Sequence, residues 1–169
     1  MAMLVLALRI IHVCAAIFWG GGSLIMHFFF GPTVRATHLA GQQFAGYLML
    51  KTRFINVMTT MALLTVLAGG SLYLIDSHGL TSAWMKSFTG IGFAIGGVFG
   101  LVAFIFGATF GQLNKQLAAV GAQVQGQPTP EQLAQIQALQ KRIAGVTPVH
   151  ITAIILAILL MSASRYLLF

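Results

Sequence analysis

The chain has 169 residues, of which 58% are hydrophobic and only 7% are charged, and its mean hydropathy is +0.91. A soluble domain of this length needs far more charge on its surface, so these values argue against a soluble globular protein. The net charge of +7 comes without any basic cluster that alternates with aromatic residues, as nucleic-acid sites do. We therefore expect a membrane protein that faces anionic lipid and has no nucleic-acid partner.

Four apolar runs are each long enough to cross a bilayer as a helix, which takes roughly 20 residues. They cover about residues 3–30, 54–75, 88–110 and 149–169. Their length favours helices over the alternating strands of a barrel. The first run carries Arg9 where a signal peptide has its apolar core, which predicts a retained helix. The sequence thus predicts an all-α fold, an integral membrane four-helix bundle that forms a single domain over residues 1–169.

The first run carries polar residues along one face. Residues 9, 12, 16, 19, 23 and 26 follow steps of three and four, which places Arg9, His12 and Trp19 on one helical stripe. His27 projects in nearly the same direction as Arg9. An ionisable group in hydrocarbon costs on the order of 3 kcal/mol on insertion scales, so such residues normally face a bundle interior. This stripe is the first place to look for a functional site.

The connections between the runs have distinct sequence signals. Pro32 is predicted to end the first helix, and the segment through Tyr47 is long enough for an interfacial helix. The segment Asp76–Leu80 has the composition of a short turn. Thr129 followed by Pro, Glu and Gln is a helix N-terminal signature, and three- and four-residue apolar steps continue to Gly145. They predict a short amphipathic cytoplasmic helix that lies on lipid, on the bundle end or on a partner.

The basic residues predict the orientation. Six lie in the two long connections: Arg35, Lys51, Arg53, Lys115, Lys141 and Arg142. Three lie on the other side: Arg9, Lys86 and Arg165. Basic residues concentrate on the cytoplasmic side of membrane proteins. We therefore expect an integral membrane protein, of the bacterial inner membrane, with both termini outside.

Small residues recur along one side of the third run. They are Gly92, Gly96, Gly100, Ala103, Gly107 and Gly111. This spacing lets a neighbouring helix, a second copy of the chain or a flat cofactor approach closely. We expect ordinary helix packing or a homo-oligomer contact through Gly92, Gly96 and Gly100, with a porphyrin against the glycines as the alternative.

The polar residues of the spans fall at two depths. His12 and His27 are fifteen residues apart, as are His150 and Arg165, which is about 22 Å of helix rise. Because the first and fourth helices run antiparallel, His27 and His150 reach one inner level. Arg9, His12 and Arg165 gather at the outer level, where the arginines suit heme propionates, a quinone carbonyl or a lipid phosphate, or reach the interface.

The inner pair of histidines has two possible metals. Two neutral imidazoles on facing helices suit the axial positions of heme iron. Copper is the alternative, because methionines are available as soft ligands at positions 26, 58, 61 and 161. A third possibility is that these imidazoles only make hydrogen bonds within the bundle.

The first helix also resembles a known family. The pattern His12-x6-Trp19-x-Gly21-Gly22-x9-Pro32 resembles the first helix of the copper resistance protein D-type membrane family and of the related heme-containing protoporphyrinogen oxidases. Met161-x3-Arg165-Tyr166 resembles a closing motif of uncharacterised four-helix proteins in that group. The resemblance implies that His12 is the principal cofactor histidine. The oxidases have a Pro-Arg pair where this chain has Pro32-Thr33.

These observations favour a membrane protein that binds heme b and passes electrons within the bilayer, as a small subunit of a larger redox complex. The cofactor and metal ligands would be His12, His27 and His150, with Arg9 and Arg165 near the propionates and Trp19 on the ring. Quinone is a possible partner. The alternatives are copper import or handling, and a structural subunit without a cofactor. No acid-base pair, nucleophile triad or phosphate loop indicates hydrolase or transferase chemistry.

Overall fold

The computed structural model describes residues 1–124 and 126–166, and within them every regular element is helical. The α-helices are α1 (Ala2–Ile25), α2 (Gly31–Ala36), α3 (His38–Lys51), α4 (Phe54–Asp76), α5 (Phe88–Ala122) and α6 (Pro130–Ala163). A π-helical turn covers Met26–Phe30, and 3-10 turns cover Ala83–Lys86 and Ser164–Tyr166. Residues 167–169 of the predicted fourth run lie outside the described residues.

Four helical spans are long and apolar enough to cross a membrane. They are Ala2–Ala36, Phe54–Asp76, Phe88–Ala122 and Pro130–Tyr166. The prediction of an all-α chain with four long apolar helices is therefore confirmed. Two antiparallel pairs make up the bundle, because α1 packs mainly on α4 and α5 packs mainly on α6.

Trp19 lies at the centre of the bundle, where all four spans meet. The indole packs with Ala62 of α4, Ala103 of α5, and Ala153 and Ile154 of α6. Each of these five residues is less than 9% exposed. Three alanines leave the space that one large ring fills, and such packing between small and large side chains is a main source of helix association in lipid.

The opposite face of α1 forms part of the outer surface. Ile10, Val13 and Ile17 are 55%, 51% and 69% exposed, respectively. Large apolar side chains on an outer surface are expected where hydrocarbon replaces water as the solvent. The polar stripe of α1 thus has the orientation that the three- and four-residue spacing predicts, with Trp19 and Ser23 buried.

The prediction that Pro32 ends the first helix is wrong. The helix widens into the π-turn at Met26–Phe30 and then continues as α2 through Pro32 to Ala36. The amide of Gly31 donates to the carbonyl of Met26, five residues back. A proline clashes with the carbonyl four residues before it in a regular α-helix. The wider turn just before Pro32 changes this spacing, so the helical path continues.

Three glycines of α5 pack against α6 or the turn that follows it. Space for a Cβ is taken at Gly92 by Ser164, at Gly96 by Met161, whose Cε lies 3.3 Å from the Cβ position, and at Gly107 by His150. Gly100 and Gly111, by contrast, have no atom within 4 Å of the Cβ position. Gly92 and Gly96 are therefore already in contact with residues of the same chain. Of the three glycines considered for a homo-oligomer contact, Gly100 alone faces open space.

The helix expected from Thr129 to Gly145 begins at the predicted place but does not end there. Thr129 accepts a hydrogen bond from the amide of Gln132, whose side chain accepts one from the amide of Thr129, a reciprocal capping box. The helix then runs through Gly145 and Pro148 to Ala163. Pro148 removes one backbone donor and does not break the helix. The segment predicted as a separate helix is the first half of α6.

The remaining connections close the two ends of the bundle. α3 is the helix expected before Tyr47. It packs on α5, and its buried residues are Gly41 and Met49. At the opposite end, Trp84 packs between Tyr73 and Phe93, with ring centroids 5.4 and 6.4 Å away. The short turn after α4 is confirmed, with Gly79 at a φ of +70°, a conformation that glycine adopts without strain.

Candidate functional site

His12 is held in a defined position between α1 and α4. Its Nδ1 lies 2.8 Å from the backbone oxygen of Thr65. The ring edge rests on Gly69, one helical turn further along α4. A Cβ at Gly69 would lie 2.7 Å from Cε1 and 2.8 Å from Nδ1 of His12. The glycine therefore provides the space in which the imidazole reaches the Thr65 carbonyl.

This hydrogen bond determines the tautomer of His12. A carbonyl oxygen can only accept, so Nδ1 must carry the proton and donate it. The neutral ring then has its lone pair on Nε2, the atom that binds metals when Nδ1 is held by a carbonyl. Nε2 is also the ring nitrogen farther from α4, at 3.7 Å from the Gly69 Cβ position. The arrangement orients an imidazole ligand in the way that many metal sites do.

Thr65 is itself fixed within α4. Its side chain is buried, and its hydroxyl donates to the carbonyl of Met61 over 2.8 Å. The hydroxyl is thus satisfied within its own helix, and the backbone oxygen remains available to His12. The acceptor of the His12 hydrogen bond is therefore part of a well-packed helix.

The other residues predicted near the cofactor, namely Arg9, Arg165 and Trp19, are placed differently from His12. Arg9 and Arg165 are exposed, as expected of side chains that extend towards an interface. Trp19 is buried among the alanines at the centre of the bundle, about two helical turns from His12. Of the predicted outer residues, His12 alone combines partial burial with a fixed ring nitrogen.

His150 is the most buried histidine and lies against Gly107 of α5. It is 4% exposed, and its Nε2 has no hydrogen-bond partner among the described residues. A Cβ at Gly107 would lie 2.8 Å from this nitrogen. The ring of Phe110 covers one side, with centroids 5.8 Å apart. Nε2 of His150 therefore faces the backbone of the adjacent helix and is closed off from any ligand that approaches from outside.

His27 lies in the π-turn and is half-buried, with Phe28 edge-on to its ring at 4.8 Å. It lies within electrostatic range of His150. These are the two histidines that were expected to share the inner level. Ligation of one iron by both would require α5 and α6 to separate at Gly107, because Nε2 of His150 has no access.

No group of three or more His, Cys, Asp or Glu side chains capable of holding a metal occurs in residues 1–124 and 126–166. Two crevices lie on the α5–α6 pair. One of about 350 Å³ is lined by Phe99, Val102, Pro148, Val149, Thr152 and Ala153. The other, of about 460 Å³, lies between the C-terminal part of α5 and the N-terminal part of α6. Neither is lined by His12, so its lone pair points to a different part of the molecule.

The chain was compared with protein-family models, curated proteins and solved structures. None of the three comparisons finds a match.

Two residues of the His12 site were not predicted from the sequence. Gly69 and Thr65 lie in the second apolar run, which does not reveal that its neighbour is α1. The signal present was the Gly69-Gly70 pair, since glycine in a helix interior costs about 1 kcal/mol relative to alanine and usually has a packing reason. Gly107 carries the equivalent signal for His150.

Proposed function

We propose that this protein spans the membrane and binds heme b, and that Nε2 of His12 would hold the iron. The observation that carries the proposal is the 2.8 Å hydrogen bond from Nδ1 of His12 to the Thr65 carbonyl. It fixes the tautomer whose free lone pair is on Nε2, and it strengthens the imidazole as a ligand. When bound, the heme would supply a one-electron Fe(III)/Fe(II) couple within the membrane.

The residues around His12 have separate roles in this proposal. Gly69 leaves space for the imidazole ring of His12, and the Thr65 carbonyl orients that ring. Arg9 lies one helical turn from His12, where its guanidinium suits a propionate carboxylate. Arg165 has the same chemistry, on the end of α6. Trp19 supports the site indirectly, because it fixes the packing of α1 at the centre of the bundle.

His12 is the histidine expected at the outer level within the spans, so a single imidazole of the bundle would hold the iron there. The two crevices described above are not lined by His12. The face of the heme away from His12 would therefore be covered by lipid or by another chain. This supports a role as a small subunit of a larger redox complex, in which electrons pass through a heme at a subunit boundary. Quinone in the bilayer is a suitable redox partner by its solubility.

The inner pair, His27 and His150, is a second candidate for the iron ligands. Its support is the unpaired Nε2 of His150, which lies within electrostatic range of His27. Against it stands the packing of that nitrogen on Gly107, where a Cβ would lie only 2.8 Å from it. We therefore assign the cofactor role to His12 and a packing role to His150.

The test is an absorption spectrum of the full chain, purified from cells supplied with a heme precursor, before and after reduction. We expect a Soret band and a pyridine hemochrome of heme b in the wild type and in His38→Ala, since His38 is exposed on a connection. We expect loss of both in His12→Ala. Metal analysis of the same samples measures copper.

Three results contradict the proposal in different ways. Retention of the chromophore in His12→Ala, with loss in His27→Ala and His150→Ala, would move the site to the inner level. Stoichiometric copper without heme would favour the copper-handling alternative. Absence of both metals, after hemin has been added to the purified protein, would favour a structural subunit.

A further inference from the structure

One crevice opens on the side of the α5–α6 pair, at the level of the apolar runs. Its volume is about 350 Å³, and it is lined by Phe99, Val102, Pro148, Val149, Thr152 and Ala153. Pro148 and Thr152 are exposed, whereas Ala153 is only 3% exposed. The crevice therefore leads inwards from the outer surface of the bundle. Hydrocarbon replaces water at this level, so an occupant would come from the bilayer.

The inner wall of this crevice belongs to the core around Trp19. Ala153 packs in the same cluster as Trp19, and Phe99 and Val102 pack against that cluster. A ligand in the crevice would thus lie one layer of side chains from the indole. The volume is at the lower end of the range of about 300–1,000 Å³ that is typical of small-molecule sites. A single ring with its substituents suits such a space.

Pro148 leaves a hydrogen-bond acceptor at the crevice. In a regular helix the amide of residue 148 donates to the carbonyl of Ala144, but proline has no N–H. The hydroxyl of Thr147 does not replace that donor, because it donates to the carbonyl of Ile143 over 2.7 Å. The carbonyl of Ala144 is directed along the helix towards Pro148. It therefore lacks its ordinary donor on the side where the crevice lies.

Thr152 supplies a hydrogen-bond donor on the same wall. Other threonines of the spans donate to a carbonyl four residues back, as Thr65 does to Met61 and Thr109 does to Ile105. Thr152 makes no such bond within residues 1–124 and 126–166. A hydroxyl without a partner is unfavourable in hydrocarbon. A ligand that carries an acceptor is therefore favoured there.

The acceptor and the donor are spaced for one ring. Thr152 lies four residues after Pro148, which is about 6 Å of helix rise. Residues four positions apart lie on the same face of a helix. This separation matches that of two oxygen atoms on opposite sides of a six-membered ring. The apolar lining, which includes the aromatic side chain of Phe99, suits the ring itself.

We propose that this crevice binds the ring of a quinone or quinol from the bilayer. The hydroxyl of Thr152 donates to one ring oxygen. In the reduced form, the hydroxyl on the opposite side of the ring donates to the carbonyl of Ala144. An acyl chain has neither group and would leave both protein groups unpaired. The redox role of this quinone rests on the proposed heme, but its binding does not.

The experiment measures quenching of Trp19 fluorescence in the full chain, in a neutral detergent. The chain has two tryptophans, and Trp84→Phe leaves Trp19, the one next to the crevice, as the sole indole. A short-chain benzoquinone is titrated into this reference protein. The corresponding quinol is measured by its displacement of the quinone. The heme content of the same samples is recorded.

Three further variants are made in the reference protein. Thr152→Val removes the donor with little change in shape. Pro148→Ala restores an amide that can donate to the carbonyl of Ala144. Thr60→Val is the matched control, because Thr60 is an exposed threonine of α4, outside the crevice. Thermal unfolding of every variant checks that the bundle remains folded.

We expect saturable quenching in the reference protein and in Thr60→Val. Thr152→Val should bind the quinone about five-fold more weakly, from the loss of one hydrogen bond. Pro148→Ala should weaken quinol binding by a similar factor and leave quinone binding unchanged, because the oxidised ring has no donor for Ala144. Saturable quenching that depends on Thr152 in heme-free protein would support this site even if the heme proposal fails.

Three results would overturn the quinone site. Quenching that rises linearly and equally in all variants would mean that the quinone is only dissolved in the micelle. Equal quinone affinity in folded Thr152→Val and Thr60→Val would remove the assigned donor. Displacement of the quinone by phosphatidylcholine as readily as by the quinol would identify a groove for acyl chains.

Discussion

Gly69 leaves the space that the imidazole ring of His12 occupies, since a Cβ on Gly69 would lie 2.7 Å from Cε1 of His12. That distance is shorter than carbon atoms in contact allow, and the atom met is part of a rigid ring. The next residue, Gly70, has no atom within 4 Å of its Cβ position. Two adjacent glycines in one helix therefore differ in whether a methyl group is tolerated.

Gly69→Ala should displace the His12 ring and break its hydrogen bond to Thr65. We expect loss of most of the heme absorbance of the purified protein, together with a destabilisation of about 1–3 kcal/mol from overpacking. Gly70→Ala should keep the wild-type spectrum. The measurement is the ratio of Soret to protein absorbance. Equal ratios in the two variants would show that the packing of His12 on Gly69 does not position a heme ligand.

Gly107→Ala tests the contact between α5 and α6. The added methyl group would meet Nε2 of His150 at 2.8 Å, so we expect a destabilisation of about 1–3 kcal/mol with no change in the heme spectrum. Gly111→Ala, which meets no atom within 4 Å, is the control. Thermal unfolding in detergent separates the two. A bleached spectrum in a folded Gly107→Ala variant would return the ligand role to His150.

Trp19→Ala should destabilise the bundle strongly. Removal of a buried indole leaves a cavity among three alanines that are too small to fill it, at a cost of about 3–5 kcal/mol. Phe18→Ala removes an aromatic ring that is 52% exposed, and we expect a change of less than about 1 kcal/mol. Chemical unfolding in mixed detergent measures both. Similar values for the two variants would mean that the core is not centred on Trp19.

Thr129→Ala should loosen the start of α6. The substitution removes the hydroxyl that accepts from Gln132, a loss of about 1 kcal/mol at a helix N-terminus. Thr129→Ser retains the acceptor and should behave like the wild type. Hydrogen exchange of the first turn of α6 provides the readout. Faster exchange in the serine variant alone would contradict the assigned capping box.

The orientation predicted from the basic residues can be measured by cysteine labelling in a Cys14→Ser background. Gln127→Cys and His78→Cys place a thiol on exposed residues at opposite ends of the bundle. We expect a membrane-impermeant reagent to label position 78 in intact cells and position 127 only after lysis. The reverse pattern would place both termini in the cytoplasm.

The spacing of the sequence predicted the faces of the helices better than their ends. Steps of three and four along α1 placed Trp19 on the buried side, because hydrophobic periodicity follows directly from helix geometry. The rule that proline ends a helix is local and failed at Pro32. The π-turn accommodates Pro32, and α6 continues through Pro148. In both cases neighbouring helical structure outweighed the loss of one backbone hydrogen bond.

The candidate site, like the helix ends, could be predicted only in part, but the reason is different. His12 stood out because an ionisable side chain is unusual in an apolar helix. Its partners did not, since one sequence does not state which helix packs on which. Thr65 contributes through its backbone oxygen, an atom that every residue has. A contact of this kind has no signature in side-chain chemistry.

The π-turn at Met26–Phe30 has a consequence for how this chain can vary in length. A π-turn contains one residue more than an α-turn between hydrogen-bonded groups. Deletion of one residue there would convert the turn into a regular α-helical one without changing the rotation of α1 or α2 outside it. Elsewhere in the span, the same deletion would turn all the following side chains by about 100°. The segment that carries His27 is therefore the point of the first span at which a change in length can occur without disturbing the contacts of Trp19.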